Sequence, residues 1–182
     1  MSVCIALPSC EIRSWQTRDA EALARCANSR AIWLNLRDAF PHPFTKRDAD
    51  AYIRSVRKRS PQTAFAIVVD GEAVGSIAFK PQQDVERVSA EVGYFLAEPF
   101  WGRGIATEAL VAVTSHAIET YGLTRMFAVP FASNTASCRV LEKAGYSLEG
   151  RLCRSAIKDG IITDQLQYAF IATDRPPLGN RD

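Results

Sequence analysis

The segment Tyr94-Phe95-Leu96-Ala97-Glu98-Pro99-Phe100-Trp101-Gly102-Arg103-Gly104-Ile105-Ala106-Thr107 limits the possible folds more than any other part of the chain. An alternating, strand-like run ends here, a turn with two glycines follows, and a helical stripe begins. Ala106, Ala109, Leu110, Val113 and Ala117 share one face of that helix, with Glu108, Ser115 and Glu119 elsewhere. Gly122 stands where such a helix stops. A strand that feeds a half-apolar helix needs a sheet to join and a sheet face to cover, so all-helical and all-strand folds are excluded. The turn also has chemical meaning. The free N–H groups and the dipole of a first helical turn favour an anion, and glycines let the backbone approach it without a Cβ in the way.

Hydrophobic period places the other elements around this one. A short strand ends at Ile12, Ser14 and Trp15, and Ala20, Leu23, Ala24 and Ala27 then recur at helical spacing from Asp19. A second short helix is expected over 32–36, until Pro41-His42-Pro43 breaks it. Thr45 is a good N-cap for a helix through Ala49, Tyr52, Ile53 and Val56. From Ala64 the period becomes two, giving a strand over 64–69, an Asp70-Gly71 turn and a partner over 74–79. Val88, Ala90, Val92, Tyr94 and Leu96 alternate with Ser89, Glu91, Gly93 and Phe95 in a third strand, closed by Glu98-Pro99. A buried strand over 126–129 and a helix capped by Asn134 and ended by Gly145 follow. Strands over 146–157 and 161–171 then flank Asp159-Gly160. This order predicts an α+β fold with a mixed sheet.

With 182 residues, 47% of them apolar and 23% charged, the chain has enough apolar surface for a packed core. It reads as a single domain over 1–173 with a polar, Pro-rich tail, 174–182, expected to hang free. No apolar run approaches the ~20 residues that span a bilayer, and the N-terminal stretch lacks the features of a signal peptide. Twenty-two Lys and Arg against 20 Asp and Glu leave a net charge of +2, which gives no reason to expect membrane or nucleic acid as a main partner. Cys4, Cys10, Cys26, Cys138 and Cys153 are odd in number and widely spaced, which fits reduced thiols in a cytoplasmic protein. There is no Cys-x-x-Cys, and His42 and His116 are the only histidines, so no metal site is expected.

Three ligands compete for the glycine turn. A nucleotide triphosphate loop needs Gly-x-x-x-x-Gly-Lys-Ser/Thr, which is absent. A dinucleotide fingerprint needs a third glycine where Thr107 stands, and no acidic strand-end residue lies at the expected offset. The third is the pyrophosphate of coenzyme A. A plain loop with two glycines is equally compatible with the turn taken alone.

The stretch 91–170 resembles the GCN5-related N-acetyltransferase (GNAT) superfamily, and within it the ribosomal-protein N-terminal acetyltransferase (RimJ/RimL-like) branch. The matching strings are Glu91-Val92-Gly93-Tyr94, then Trp101-Gly102-Arg103-Gly104-Ile105-Ala106-Thr107-Glu108-Ala109, then Asn134-Thr135-Ala136-Ser137-Cys138-Arg139-Val140-Leu141-Glu142-Lys143-Ala144-Gly145-Tyr146. Pro41-His42-Pro43-Phe44-Thr45, with 48–53 after it, is similar to that branch too.

The resemblance implies a GNAT fold: a mixed, mostly antiparallel sheet with helices on both faces, splayed between the strand at Tyr94 and the one at Met126. It implies an acetyl-CoA-dependent transferase acting on a primary amine by direct transfer in a ternary complex. The pantetheine arm would pair with backbone near Phe95 and Leu96, and the pyrophosphate would sit on the N–H groups of Gly102, Arg103, Gly104, Ile105, Ala106 and Thr107. Trp101 stands where that loop usually begins with Gln or Arg. Asn134 would bind the pantetheine arm, which is compatible with an N-cap role. Ser137 would steady the leaving thiolate. The tyrosine acid of other branches falls on Leu141, and a second glutamate of the ribosomal branch falls on Ala156. Glu91 is then the candidate base.

The implied acceptor is a protein or peptide N-terminal α-amine. A small amine, such as an antibiotic, polyamine or amino-acid derivative, is the alternative, and a non-catalytic acyl-CoA-binding module is a third reading. A homodimer is left open. Arg54, Arg57, Lys58 and Arg59 read as a solvated helix end or as a contact for an anionic acceptor. Cys138 reads as packing, since no His accompanies it. Trp15, Trp33 and Phe40 read as acceptor-side wall or core, and His42 as a loop residue.

Overall fold

The computed structural model describes residues 3–172, and the tail expected from Asp174 lies outside the described residues. In chain order the elements are β1 (Cys4–Ala6), β2 (Glu11–Ser14), α1 (Ala20–Ala27), α2 (Arg30–Trp33), α3 (Lys46–Arg57), β3 (Ala64–Val69) and β4 (Glu72–Pro81). They continue with β5 (Ser89–Leu96), α4 (Ile105–Tyr121), β6 (Arg125–Ala128), α5 (Thr135–Lys143), β7 (Ser147–Lys158) and β8 (Ile161–Ile171). Among the described residues eight strands form one sheet in the order β1-β2-β3-β4-β5-β6-β8-β7. Every neighbouring pair is antiparallel except β5 and β6. This is the mixed, mostly antiparallel sheet that the motifs lead one to expect.

The sheet is covered on both faces, and β3 shows how. All six of its residues are buried. Phe65, Ile67 and Val69 enter one core with Ile105, Ala109, Leu110, Val113 and Ala117 of α4 and Leu141 of α5. Ala64, Ala66 and Val68 enter a second core with Leu23 of α1 and Ala49, Ile53 and Val56 of α3. The period of two therefore serves two cores rather than a core and solvent. Each fully buried Phe or Ile contributes about 2 kcal/mol by area.

Local chemistry sets the element ends. Thr45 and Asp48 form a reciprocal capping box at α3: Thr45 Oγ1 accepts the Asp48 N–H at 3.3 Å and Asp48 Oδ2 accepts the Thr45 N–H at 2.8 Å. The short helix expected over 32–36 instead occupies Arg30–Trp33, because Ser29 Oγ accepts the Ile32 N–H and starts it earlier. Strand β1 has no expectation behind it. Three residues are too few to show a period, and only pairing with β2 makes them a strand.

The sheet parts where the motifs place the opening. β5 and β6 pair only through Ser89 with Arg125, Ala90 with Met126 and Glu91 with Phe127. Beyond that point β5 stays with β4, as far as Leu96 opposite Gly75. The chain after β6 stays with β8: the Leu166 N–H donates to the Pro130 carbonyl at 2.9 Å, and Phe131 bridges Gln165. The two halves of the sheet diverge, and a cleft opens between them.

Candidate active site in the parted sheet

The cleft has a volume of about 440 Å³. Phe95 and Leu96 of β5, the whole turn from Trp101 through Gly102, Arg103, Gly104, Ile105 and Ala106 to Thr107, and Asn134 and Ser137 of α5 all line it. Every residue that the motifs assign to the donor is thus brought to one opening. Ile32 and Leu36 face it from the front.

The turn is shaped as an anion cradle. Gly102 and Gly104 have φ of +72° and +82°, the left-handed region that glycine alone enters without strain. A Cβ on either would meet no protein atom within 4 Å, so space is left over both. Gly104 is the N-cap of α4. Ile105 buries its side chain in the core and offers the cleft only backbone. Thr107 departs from the expectation. Its N–H donates to the Gly104 carbonyl at 3.0 Å, because the helix has already begun there, so its hydroxyl is what it has to offer. Trp101 Nε1 donates to the Leu96 carbonyl at 2.6 Å. The indole fastens the turn to the strand end, which explains a tryptophan at the head of the loop. It also occupies one of the two lone pairs that Leu96 could present to a pantetheine arm.

Cations ring the opening. Arg103 lies over the Phe100 ring, 5.3 Å from its centroid, and Arg139 and Lys143 of α5 line the cleft as well. The motif strings assign no role to Arg139 and Lys143. Their spacing from Ala136 and Val140, three and four residues apart, marks the same helix face and could have found them.

Ser137 sits in the first turn of α5. Asn134 Oδ1 accepts the Ser137 N–H at 3.1 Å, so Asn134 is the cap that the sequence predicts. Tyr94 Oη lies 3.0 Å from Ser137 Oγ and 3.3 Å from the Ser137 carbonyl oxygen. Burial pushes the Tyr94 phenol up to about 12. The motif strings assign no role to Tyr94, although its alternation with Gly93 and Phe95 gives its face of the strand. Leu141, on which the tyrosine acid of other branches falls, is fully buried in the core.

Glu91 lies at the closed end of the opening, as the last β5 residue paired with β6, and outside the cleft lining. Its carboxylate pairs with Arg37, from the segment after α2. That segment forms the front wall. Phe40 stacks on Phe44 at 4.5 Å and meets Phe95 edge-on at 5.6 Å. Lys158, at the end of β7, is 7% exposed, lies 3.7 Å from the Trp33 ring centroid and pairs with Asp38 at 2.7 Å. Arg30 pairs with Asp159 of the same hairpin at 2.6 Å. Of the two readings open for Trp15, core holds: it is 2% exposed and edge-on to Tyr52, because β2 points it at α3. Among the described residues no group of His, Cys, Asp and Glu could hold a metal, and no helix is long and apolar enough to cross a membrane.

Comparison with known proteins finds relatives of one kind. The profile of the acetyltransferase (GNAT) domain matches residues 10–147. An uncharacterized N-acetyltransferase of Bacillus subtilis (strain 168), YoaA, is 34% identical over 100 residues, 55% of this chain and 56% of that protein. The ribosomal-protein-serine acetyltransferase of Escherichia coli (strain K12) is 31% identical over 107 residues, 59% of each chain. The chain thus spans a little over half the length of these curated relatives. Among solved structures, Mycobacterium smegmatis RimJ in complex with CoA-disulfide superposes with a TM-score of 0.82 at 26% identity, covering 96% of this chain and 88% of the other.

Proposed function

The chain belongs to the acetyltransferase (GNAT) family, and from that premise we propose that it moves the acetyl group of acetyl-CoA to a primary amine, preferably a protein or peptide N-terminal α-amine. The observation that carries the reading is the parted sheet. One cleft gathers a glycine-lined helix N-terminus, a ring of cations and the Ser137 hydroxyl. The glycine turn and Arg103, Arg139 and Lys143 suit the phosphates of the donor. Asn134, Phe95 and Leu96 suit its amide-bearing arm. Trp101 holds the turn in place.

In this reading both substrates are bound together and no acyl-enzyme forms. The amine nitrogen attacks the thioester carbonyl carbon, the C–N bond forms and the C–S bond breaks. The sulfur leaves with the bonding electron pair and meets the Ser137 O–H. The extra proton on nitrogen passes to water, and by water to Glu91. Energetics favour an α-amine with so modest a base. Neutralising an α-amine at pH 7 costs about 1 kcal/mol, against about 4.6 kcal/mol for a lysine. A ribosomal-protein-serine acetyltransferase among the relatives supports a protein acceptor. The reaction belongs to the cytoplasm in this reading.

A competition assay tests it. Acetyl-CoA, a library of peptides with free N-termini and a panel of small amines are mixed with the protein, and mass spectrometry reports which gain 42 Da, about the mass of one acetyl group replacing a hydrogen. Labelled peptides are expected. Labelled small amines with peptides untouched would move the acceptor to metabolites or drugs. No amine-dependent turnover of acetyl-CoA would leave a binding module.

A further inference from the structure

The face of β5 toward α5 carries a hydroxyl that acetyl transfer, as described above, leaves unused. Tyr94 lines the same cleft as Ser137 and reaches both its Oγ, at 3.0 Å, and its carbonyl oxygen, at 3.3 Å. With Asn134 Oδ1 on the Ser137 N–H at 3.1 Å, the serine is held from a strand and from its own helix cap at once. The nearby phenols are committed elsewhere. Tyr146 Oη pairs with Thr114 Oγ1 at 2.6 Å, and Tyr168 donates to Glu142 at 2.9 Å. Resting on the acetyl-transfer reading, we propose that Tyr94 is the positioning residue of Ser137: its single O–H, within reach of both serine oxygens, donates to the nearer one, Oγ, rather than to the carbonyl, and leaves the serine's own proton free for the departing sulfur.

The reason lies in what a serine does alone. Its side chain has three staggered wells, one proton and two lone pairs. In a first helical turn the hydroxyl can bend back to a nearby backbone group, where it serves nothing. A donor fixed on the neighbouring strand selects one well and fills a lone pair, so the serine proton must point away from the strand donor. Hydrogen bonds in a chain polarise one another, which makes the serine a better donor to the thiolate. The phenol does not hand over its proton. Burial raises Tyr94 to about 12, whereas a leaving thiol titrates near ~8.5, so full transfer from the tyrosine runs uphill. The C–S bond breaks as before, and the sulfur keeps its electron pair and the serine hydrogen bond.

A double-mutant cycle on the full chain tests this. CoA release from acetyl-CoA is followed with a pool of free-N-terminus peptides, and CoA affinity is measured by calorimetry. Tyr94→Phe is expected to lower kcat about tenfold, the effect of one hydrogen bond, with CoA affinity held within about twofold. In a Ser137→Ala background it should cost nothing more, because the hydroxyl it acts on is gone. Tyr94→Phe turning over at the wild-type rate would overturn the proposal, and so would an additive loss in the double variant. Loss of CoA affinity in Tyr94→Phe would also overturn it, since the tyrosine would then shape the cleft rather than the serine. Wild-type protein that binds CoA and labels no amine would sink the transferase reading itself, an outcome distinct from these three.

Discussion

Ser137 and Gly104 divide the candidate site into chemistry and binding, and single substitutions should separate the two. Gly104 holds a left-handed φ of +82° over open space at the head of α4. Gly104→Glu adds a strained backbone, about 1–2 kcal/mol, and a negative side chain where the donor's phosphates would lie. It should abolish CoA binding in calorimetry. Ser137→Ala removes one hydroxyl from the rim and leaves the turn intact. It should keep CoA affinity within about twofold while kcat falls at least tenfold, the scale of one lost donor to a developing charge. A Ser137→Ala protein at full rate would rule out its place beside the leaving sulfur. At this scale the sequence is a good guide to backbone needs, since positive-φ glycines and an Asn cap are local demands. It is silent on Tyr94 meeting Ser137 and on Trp101 meeting Leu96. The first pair is 43 residues apart, and which hydroxyl meets which depends on how α5 lies across β5.

Helices α4 and α5 carry the next scale. α5 presents Ser137, Arg139 and Lys143 to the same cleft, so it supplies both a rim hydroxyl and rim charge. Arg139→Ala with Lys143→Ala should raise KM for acetyl-CoA severalfold and leave kcat nearly unchanged. The loss should shrink at high salt, because exposed charges act through a screened field with a Debye length of about 8 Å at physiological ionic strength. On α4, His116 is half-buried edge-on to Phe65, and burial pulls its pKa below the usual histidine value. The folded state therefore resists protonating it. Its contribution to stability is complete above ~6.5 and is lost as pH falls below that value. Thermal melts between pH 7 and 5 should show a steeper decline for the wild type than for His116→Gln, and equal slopes would remove His116 from the acid response. The long elements were legible because a period needs length: β3 and β8 match their expected bounds, and α4 matches its stripe and its Gly122 stop. β1 and α2 were missed or displaced because three or four residues carry no period, and pairing or a cap decides them.

The whole molecule is a sheet with two cores, opened along one seam and closed at the front. The closure depends on contacts distant in sequence: Lys158 with Asp38 and Trp33, Arg30 with Asp159, and Arg37 with Glu91. Lys158→Met keeps the volume of the stem and removes the charge. It should cost about 1 kcal/mol in urea unfolding, the sum of a half-exposed pair and a cation–π contact, and raise acceptor KM without changing CoA affinity. An unchanged acceptor KM would place the hairpin tip outside acceptor recognition. Periodicity, caps and glycine turns decide by themselves which segments become strands and helices. The motif strings Glu91-Val92-Gly93-Tyr94 and Trp101 to Ala109 decide the family, because these are constraints between residues close in the chain. Tertiary structure alone decided where β5 leaves β6, which hydroxyl faces Ser137, that Glu91 stands paired at the closed end, and that Trp15 is core while Trp33 guards the front. Each of these depends on how segments tens of residues apart are laid against one another. Side-chain packing and charge pairing settle that only once both cores have closed.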